Sequence, residues 1–412
     1  MTVASSDRSL SDLEVPERSP LAAIAALGVT QIIGYGTLYY SFSILAADMA
    51  SDLGWPTEWI FGALSAALLV GGLTAPWLGN WIDRFGAGKI MTVGSILAAA
   101  ALAACAYAPA AGAFVAALIV LEVASNLVQY GAAFALLVQI RPRAAQRSIT
   151  YLTLIAGFAS TVFWPITSAL HAQMSWRTVY LVFAGLNLLV CLPLHAWLSH
   201  GLAKSRRSAT EPPRHVQGSL PASARPLGFA LMVIAFSLQN LLGAAVLVHM
   251  VPLLSGLGLG ATAAVVGTLF GPSQVLSRFI NMIFGINLPP LTLAIISAGL
   301  MTSGVVVLNC TAPSVAGAMV FAVVFGMGNG LFSIVIGALP LTLFGSADYG
   351  RLQGRVTSAR LLVSAVAPFA LAFAIVNVGI AWSLGAMAFL GGTALLVLTA
   401  ITRLPNARNG RV

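Results

Sequence analysis

Long apolar stretches alternate with short polar ones along almost the whole chain. Twelve stretches, about 20 to 32 residues each, are long enough for an α-helix to cross the hydrocarbon core of a bilayer. Six precede a polar segment at residues 200–226 and six follow it. The stretches are 21–50, 58–81, 89–108, 112–138, 149–171, 177–199, 227–251, 261–284, 290–309, 313–344, 355–378 and 380–403.

This pattern predicts an all-α integral membrane protein with twelve transmembrane helices in two six-helix halves. The halves are 21–199 and 227–403, with polar tails at 1–20 and 404–412. The segment 200–226 is rich in Ser, Pro and Arg, which is typical of a flexible linker. Composition agrees, because 59% of the residues are apolar and only 8% are charged.

The basic residues indicate the orientation of the spans. If the N-terminus is cytoplasmic, 17 of the 20 Lys and Arg residues fall in the tails, the linker or cytoplasmic loops. Short cytoplasmic loops carry such an excess of positive charge. We therefore expect both termini in the cytoplasm and a multi-pass protein of a bacterial inner membrane. The net charge of +9 then results from basic residues that fix the topology and contact the lipid bilayer, so no nucleic-acid partner is expected.

The loop between the second and third stretches carries a dense set of charges and glycines. Its pattern is Gly-x-x-x-Asp-Arg-x-Gly-x-x-Lys, formed by Gly79, Asp83, Arg84, Gly86 and Lys89. Glycine suits a tight reversal with positive φ. A carboxylate at this point is suited to a nearby helix N-terminus.

This pattern resembles the loop 2–3 signature of the major facilitator superfamily of transporters. The resemblance implies a cytoplasmic latch in which Asp83 contacts the N-terminal end of the eleventh helix. It also implies that substrate binds between two six-helix halves near the middle of the membrane. The resemblance therefore implies a secondary transporter that moves a small molecule by alternating access and has no enzyme activity. We expect a monomer, with no cofactor and no metal site. Since the sequence has no phosphate-binding P-loop, an ion gradient is the expected energy source, with protons as the coupling ion.

Arg278 is the strongest candidate for substrate binding, because an ionisable side chain inside a span is costly. Gln274 lies one turn before it on the same face. This patch resembles the eighth span of the monocarboxylate and oxalate–formate branch, where an Arg meets the substrate carboxylate. In monocarboxylate transporters an Asp stands where this chain has Gln274. The alternative is that Arg278 braces the helix bundle or extends to the interface.

Other polar residues within the spans are further candidates. Burial in apolar surroundings favours the protonated form of a carboxyl group, so Glu122 is a proton-coupling candidate. Arg360, taken as the beginning of the eleventh span, is assigned to the cytoplasmic gate. Further substrate-binding candidates are Gln31, Tyr35 and Tyr39, which share one face of the first helix, and Asn126 and Gln129 in the fourth span.

Two other functions stay open. Residues 28–42 resemble the first span of bacterial exporters of trivalent arsenic or antimony, so an efflux permease for these metalloids or for drugs is an alternative. Thiols suit soft metalloids, but Cys105, Cys191 and Cys310 lie in separate stretches. A membrane receptor that binds a ligand without transport is the second alternative.

Overall fold

The computed structural model describes residues 20–208, 215–260 and 262–405, and these residues form twelve helices. The helices are α1 (Leu21–Asp52), α2 (Thr57–Phe85), α3 (Ala87–Ala106), α4 (Ala111–Ile140), α5 (Pro142–His171), α6 (Trp176–Leu186, Asn187–Cys191 and Leu192–Ser208), α7 (Arg225–Leu259), α8 (Thr262–Thr268 and Phe270–Phe284), α9 (Pro290–Thr311), α10 (Val315–Phe344), α11 (Tyr349–Val378) and α12 (Ile380–Ile401). The predicted all-α membrane fold is confirmed.

Eleven of these helices in the described ranges are long and apolar enough to cross a membrane. The exception is α8, which is interrupted at Leu269. Pro272 explains the interruption, because proline has no N–H for the carbonyl one turn earlier and its ring collides with that carbonyl. Together the two pieces of α8 still span residues 262–284.

Each half has its own apolar core. One core is built only from residues of the N-terminal half, and another from residues of the C-terminal half together with Leu220 and Ala224 just before α7. A third core joins residues of α1, α4 and α5 to Leu341 and Tyr349 of the other half. This shared core lies on the side where α1 begins and α12 ends, which we call the terminal face. The opposite side is the far face.

The predicted segment boundaries differ from the helices at two places that matter. Helix α6 continues to Ser208, so the predicted linker 200–226 begins as helix. Helix α11 begins at Tyr349, six residues before the predicted span, although its first two turns are polar. The predicted tails, 1–20 and 404–412, lie largely outside the described residues, which exclude 1–19, 209–214, 261 and 406–412.

Two polar ties hold the far-face ends of the N-terminal half together. Asp48 pairs with His171 at 2.8 Å, which joins the end of α1 to the end of α5. Asp52 accepts hydrogen bonds from Arg177 at 2.8 Å and from the indole of Trp176 at 3.1 Å. Both ties stay within one half, so they leave the two halves unconnected here.

Candidate functional site

The end of α2 holds the start of α11 at the terminal face. Asp83 Oδ1 accepts a hydrogen bond from the backbone N–H of Gly350 at 2.8 Å, and Oδ2 accepts one from that of Arg351 at 2.6 Å. The first N–H groups of a helix lack partners within it and form the positive end of its dipole. Asp348 at the N-cap of α11 makes no side-chain cap. Asp83 therefore supplies this cap from the other half of the protein.

Glycines allow the two helices to meet backbone to backbone at this point. A side chain at Gly79 would collide with the carbonyl oxygen of Gly350 and come within 3.0 Å of Gly354 Cα. Beside this contact, Asn80 Oδ1 accepts a hydrogen bond from Nε of Arg351 at 2.7 Å. Small residues permit such close helix contact in membranes. Packing between the halves thus requires a glycine at position 79.

The other residues of the predicted gate lie at the surface of the terminal face. Gly86 ends α2 with a φ of +91°. The guanidinium of Arg84 lies over the ring of Phe85 at 5.2 Å, and Lys89 is exposed in the first turn of α3. Among the described residues, these side chains form no hydrogen bond or ion pair with the C-terminal half. Their part in a gate stays a prediction.

The buried guanidinium of Arg278 crosses the boundary between the halves. Its Nε donates to the carbonyl of Gly330 at 3.1 Å, and its Nη2 donates to Oε1 of Gln274 at 3.4 Å. Its Nη1 donates to the carbonyl of Thr153 in α5 at 3.3 Å. Gly157 leaves room for this group, because a side chain there would overlap Nη1. Arg278 thus braces α5 against α8 and α10, and a direct substrate contact stays a prediction.

Arg360 does not begin its helix, in contrast to the expectation from sequence. It lies eleven residues after Tyr349, about 16 Å along α11 at 1.5 Å per residue. Its Nε and Nη2 both donate to Oδ1 of Asn240 at 3.3 Å, and its Cζ lies 5.9 Å from the centre of the Phe332 ring. The assignment to the gate is therefore corrected: Arg360 belongs with the residues deep between the halves.

Helix α4 is broken near its middle, where Gln129 has a ψ of −166°. The break releases carbonyl groups from the helix, and Gln31 Nε2 donates to one of them, that of Val128, at 2.7 Å. Gln31 is 1% exposed. Gln31 therefore supports the broken helix. The helical spacing predicted that it would share an open face with the tyrosines, but it does not. Gln129 itself is half-buried.

The tyrosines of α1 lie on a π-helical segment, Gly36–Tyr40. A π turn holds one more residue than an α turn, so it brings Tyr39 and Tyr40 together beside Tyr35. The Tyr35 ring centre is 4.8 Å from that of Tyr130 in α4. Tyr39 is 51% exposed, while Tyr35 is half-buried. Spacing alone could not predict this arrangement, because it assumes a regular helix.

Glu122 faces α2 and has no charged partner. A side chain at Gly71 would lie 2.7 Å from Cγ of Glu122. One turn further along α4, Asn126 Nδ2 donates to the carbonyl of Gly71 at 3.2 Å. Within the described residues, the carboxylate of Glu122 forms no hydrogen bond or ion pair, so neither Arg278 nor Arg360 neutralises it.

The structure brings several of these groups together at the boundary between the halves. An added Cβ at Gly131, next to Tyr130, would lie 3.7 Å from Oγ1 of Thr357, one turn before Arg360 in α11, and Arg278 reaches α5 at Thr153. Sequence analysis missed Tyr130 and Phe332, since an aromatic residue in an apolar run looks like any lipid-facing one. The break beside Tyr130 gave no signal beyond the polar Gln129.

Residues 27–288 match the family profile described as the Major Facilitator Superfamily. The chain belongs to this superfamily. A sequence comparison with curated proteins gives no match. The superfamily consists of transporters and not enzymes, so this is a multi-pass membrane protein and a secondary transporter of a small molecule.

Solved structures of the superfamily share the fold over nearly the whole chain. The human organic anion transporter MFSD10 (TETRAN) superimposes with a TM-score of 0.69 at 15% identity, covering 93% of this chain and 100% of that one. The proton:xylose symporter XylE gives a TM-score of 0.71 at 13% identity, with coverages of 94% and 97%. The E. coli fucose:proton symporter FucP gives 0.64 at 14% identity, with coverages of 93% and 99%. At these identities the likeness establishes the fold alone.

Proposed function

We propose that this transporter moves a small organic anion with one carboxylate, by alternating access and with proton coupling. The observation that carries the proposal is the half-buried guanidinium of Arg360. Two of its five N–H donors reach a neutral amide oxygen of Asn240. Among the described residues no carboxylate contacts Arg360 or Arg278. Because a buried charge without a counter-ion is costly, a substrate carboxylate would stabilise this site.

The charges between the halves favour a monoanion. Among the described Asp, Glu, Lys and Arg residues, Glu122, Arg278 and Arg360 lie deep in their helices, away from the ends. Together they carry one net positive charge when Glu122 is ionised. One carboxylate balances that charge, and the planar fork of an arginine matches carboxylate geometry.

Glu122 is the proposed proton carrier. Its carboxylate is half-buried and has no hydrogen-bond partner in the described chain. A proton on Glu122 would raise the net charge of the site and so strengthen its attraction for an anion. Two transporters that share the fold, XylE and FucP, are named as proton symporters, which is compatible with this coupling.

We assign the terminal face to the cytoplasm of a bacterial inner membrane. The support is the concentration of 17 of the 20 Lys and Arg residues in segments on that side. Asp83 and Arg351 then form a cytoplasmic latch, and this conformation is closed toward the cytoplasm. A single chain supplies both halves of the path, so the proposal needs no second copy.

Efflux of arsenite, antimonite or drugs is the competing function, and the cysteines lend it no support. Cys105 and Cys191 belong to the apolar core of the N-terminal half, whereas Cys310 lies near the end of α9 in the other half. The described residues include no group of three His, Cys, Asp or Glu side chains suited to a metal ion.

Ligand-induced thermal stabilisation of the purified protein tests the anion site. The ligands are small carboxylates, arsenite and a cationic drug, and the variants are Arg360→Gln, Arg278→Gln and, as a charge-matched control at the exposed end of α12, Arg403→Gln. A ligand at 100 times its Kd adds about 2.7 kcal/mol of stability. We expect carboxylates to stabilise the wild type and Arg403→Gln but not Arg360→Gln. Stabilisation by arsenite or the drug that survives in Arg360→Gln would instead favour efflux.

Flux through proteoliposomes tests the coupling. We expect a pH gradient to accelerate uptake of a bound carboxylate, and Glu122→Gln to abolish the acceleration while retaining exchange without a gradient. Acceleration that persists in Glu122→Gln would exclude Glu122 as the carrier. Saturable binding with no flux in the wild type would identify a receptor instead.

A further inference from the structure

Five aromatic rings of the N-terminal half form a continuous wall, which we call the aromatic wall. Its members come from α1, α4 and α5 and are Tyr35, Tyr39, Tyr40, Tyr130 and Trp164. The ring centres of Tyr35 and Tyr130 are 4.8 Å apart, and those of Tyr39 and Tyr40 are 5.2 Å apart. The indole of Trp164 meets Tyr40 edge-on at 6.1 Å. Such tilted and edge-to-face contacts are the favourable geometries for aromatic rings.

The wall faces the boundary between the halves. Gly131, next to Tyr130, lies against α11, because an added Cβ there would be 3.7 Å from Oγ1 of Thr357, one turn before Arg360. From α8, Arg278 donates to the carbonyl of Thr153 in α5, the helix that also carries Trp164. Both arginines belong to the opposite half. The helices that carry the wall therefore contact the opposite half beside both cations, and the rings lie at the boundary between the halves.

The wall is also open to a ligand. Tyr39 is 51% exposed and Trp164 is 52% exposed. The hydroxyl groups of Tyr39, Tyr40 and Tyr130 have no hydrogen-bond partner in the part of the chain that is described. Ring faces and edges without a protein partner offer apolar contact, and the hydroxyl groups at their rims offer hydrogen bonds.

We infer that the substrate is an aromatic carboxylate, whose ring packs against the aromatic wall while its carboxylate meets Arg360. The inference rests on the proposed function, because it takes Arg360 as the anion contact. A short aliphatic acid would need no wall of five rings, whereas an aromatic ring gains edge-to-face contacts that a saturated ring of similar size does not. The wall and the cation lie on opposite halves, so such a substrate would join the halves when it binds.

Competitive binding measurements with benzoate, cyclohexanecarboxylate and acetate test this inference. The first two acids have rings of similar size and differ in aromaticity, while acetate carries only the carboxylate. We expect the wild type to bind benzoate about two- to tenfold more tightly than cyclohexanecarboxylate. Tyr39→Leu and Tyr40→Leu should remove this preference. Tyr107→Leu, an exposed tyrosine at the end of α3, is the matched control and should keep the preference.

The outcomes separate this inference from the proposed function. Equal affinity for both ring acids in the wild type, lost in Arg360→Gln, would overturn the aromatic substrate and leave the anion site standing. A preference that survives in both tyrosine variants would also overturn the role of the wall. If no acid binds in an Arg360-dependent manner, both proposals fail. Since Tyr39 is largely exposed, its variant is expected to fold even if Tyr40→Leu does not.

Discussion

A single carboxylate ties the two halves together at the terminal face. Asp83 accepts two backbone N–H groups of α11 through separate oxygens, so both bonds depend on one ionised side chain. Hydrogen bonds to charged groups contribute about 1.5–3 kcal/mol each. The residue is therefore a point at which the closed state can be weakened without disturbing either core.

Replacement of Asp83 by Asn should weaken the closed state and reduce flux while leaving expression intact. Asparagine removes the charge and one of two acceptor oxygens, so a loss of about 1.5–3 kcal/mol in the contact is expected. Flux in proteoliposomes and the yield of monodisperse protein measure the two effects. Glu58→Gln makes the same chemical change at the exposed far-face end of α2 and should behave like the wild type. Unchanged flux in Asp83→Asn would argue against the latch.

The sequence allowed some of these residues to be predicted and not others, for a physical reason. Asp83 stands in a short motif whose charges cannot lie in lipid, so its depth could be inferred, while its partner helix was implied by the resemblance to the loop 2–3 signature of the superfamily. Arg360 was misassigned because hydropathy started the eleventh span after the polar residues 349–354. In the structure those residues are helical, and the glycines among them pack directly against α2. Hydropathy cannot distinguish a polar helix packed against protein from a loop.

At the scale of whole elements, four of the helices that border the other half are irregular, although α2 and α11, which also meet there, are continuous. Helix α1 has a π segment, α4 breaks at Gln129, and α5 and α8 are interrupted near Gly157 and Leu269. By contrast, α3, α9 and α12 are continuous. All twelve spans could be predicted because hydropathy averages over many residues. That same averaging hides breaks within a helix. The residues that stabilise a break are also distant in sequence, as Gln31 is from the break in α4.

The interruption of α5 should be sensitive to one added methyl group. At Gly157 the backbone is helical (φ −60°, ψ −22°) and would accept alanine, but the new Cβ would overlap Nη1 of Arg278. We expect Gly157→Ala to displace Arg278 from Thr153 and to lower stability by about 1–3 kcal/mol, as overpacking does. Thermal unfolding in detergent measures the change.

Gly185→Ala is the control for this substitution. Nothing lies within 4 Å of a Cβ at Gly185, which is also inside a helix. Alanine there should be neutral or stabilising by about 0.5–1 kcal/mol. A Gly157→Ala variant as stable as Gly185→Ala would mean that Arg278 can move aside at no cost and does not brace α5.

At the scale of the whole molecule, contacts between the halves gather toward one side. Besides the α2–α11 contact, Arg147 at the start of α5 donates to Oδ1 of Asn287 at 3.0 Å, and Gln146 donates to the carbonyl of Leu288 at 3.3 Å. In the described chain, no hydrogen bond or ion pair joins the halves at the far face. The two halves are thus joined at the terminal face and are free of such bonds at the far face.

Covalent closure of the terminal face tests whether transport requires these contacts to separate. In a chain whose three cysteines are replaced by serine, Asn80→Cys with Arg351→Cys would be joined by a short bifunctional maleimide. We expect flux to fall in proportion to the fraction cross-linked, because alternating access needs the halves to part at this face. Asp48→Cys with His171→Cys joins two helices of one half and should leave flux intact. Undiminished flux in the first pair would mean that substrate crosses without opening the contact between α2 and α11, and alternating access would have to be abandoned for this protein.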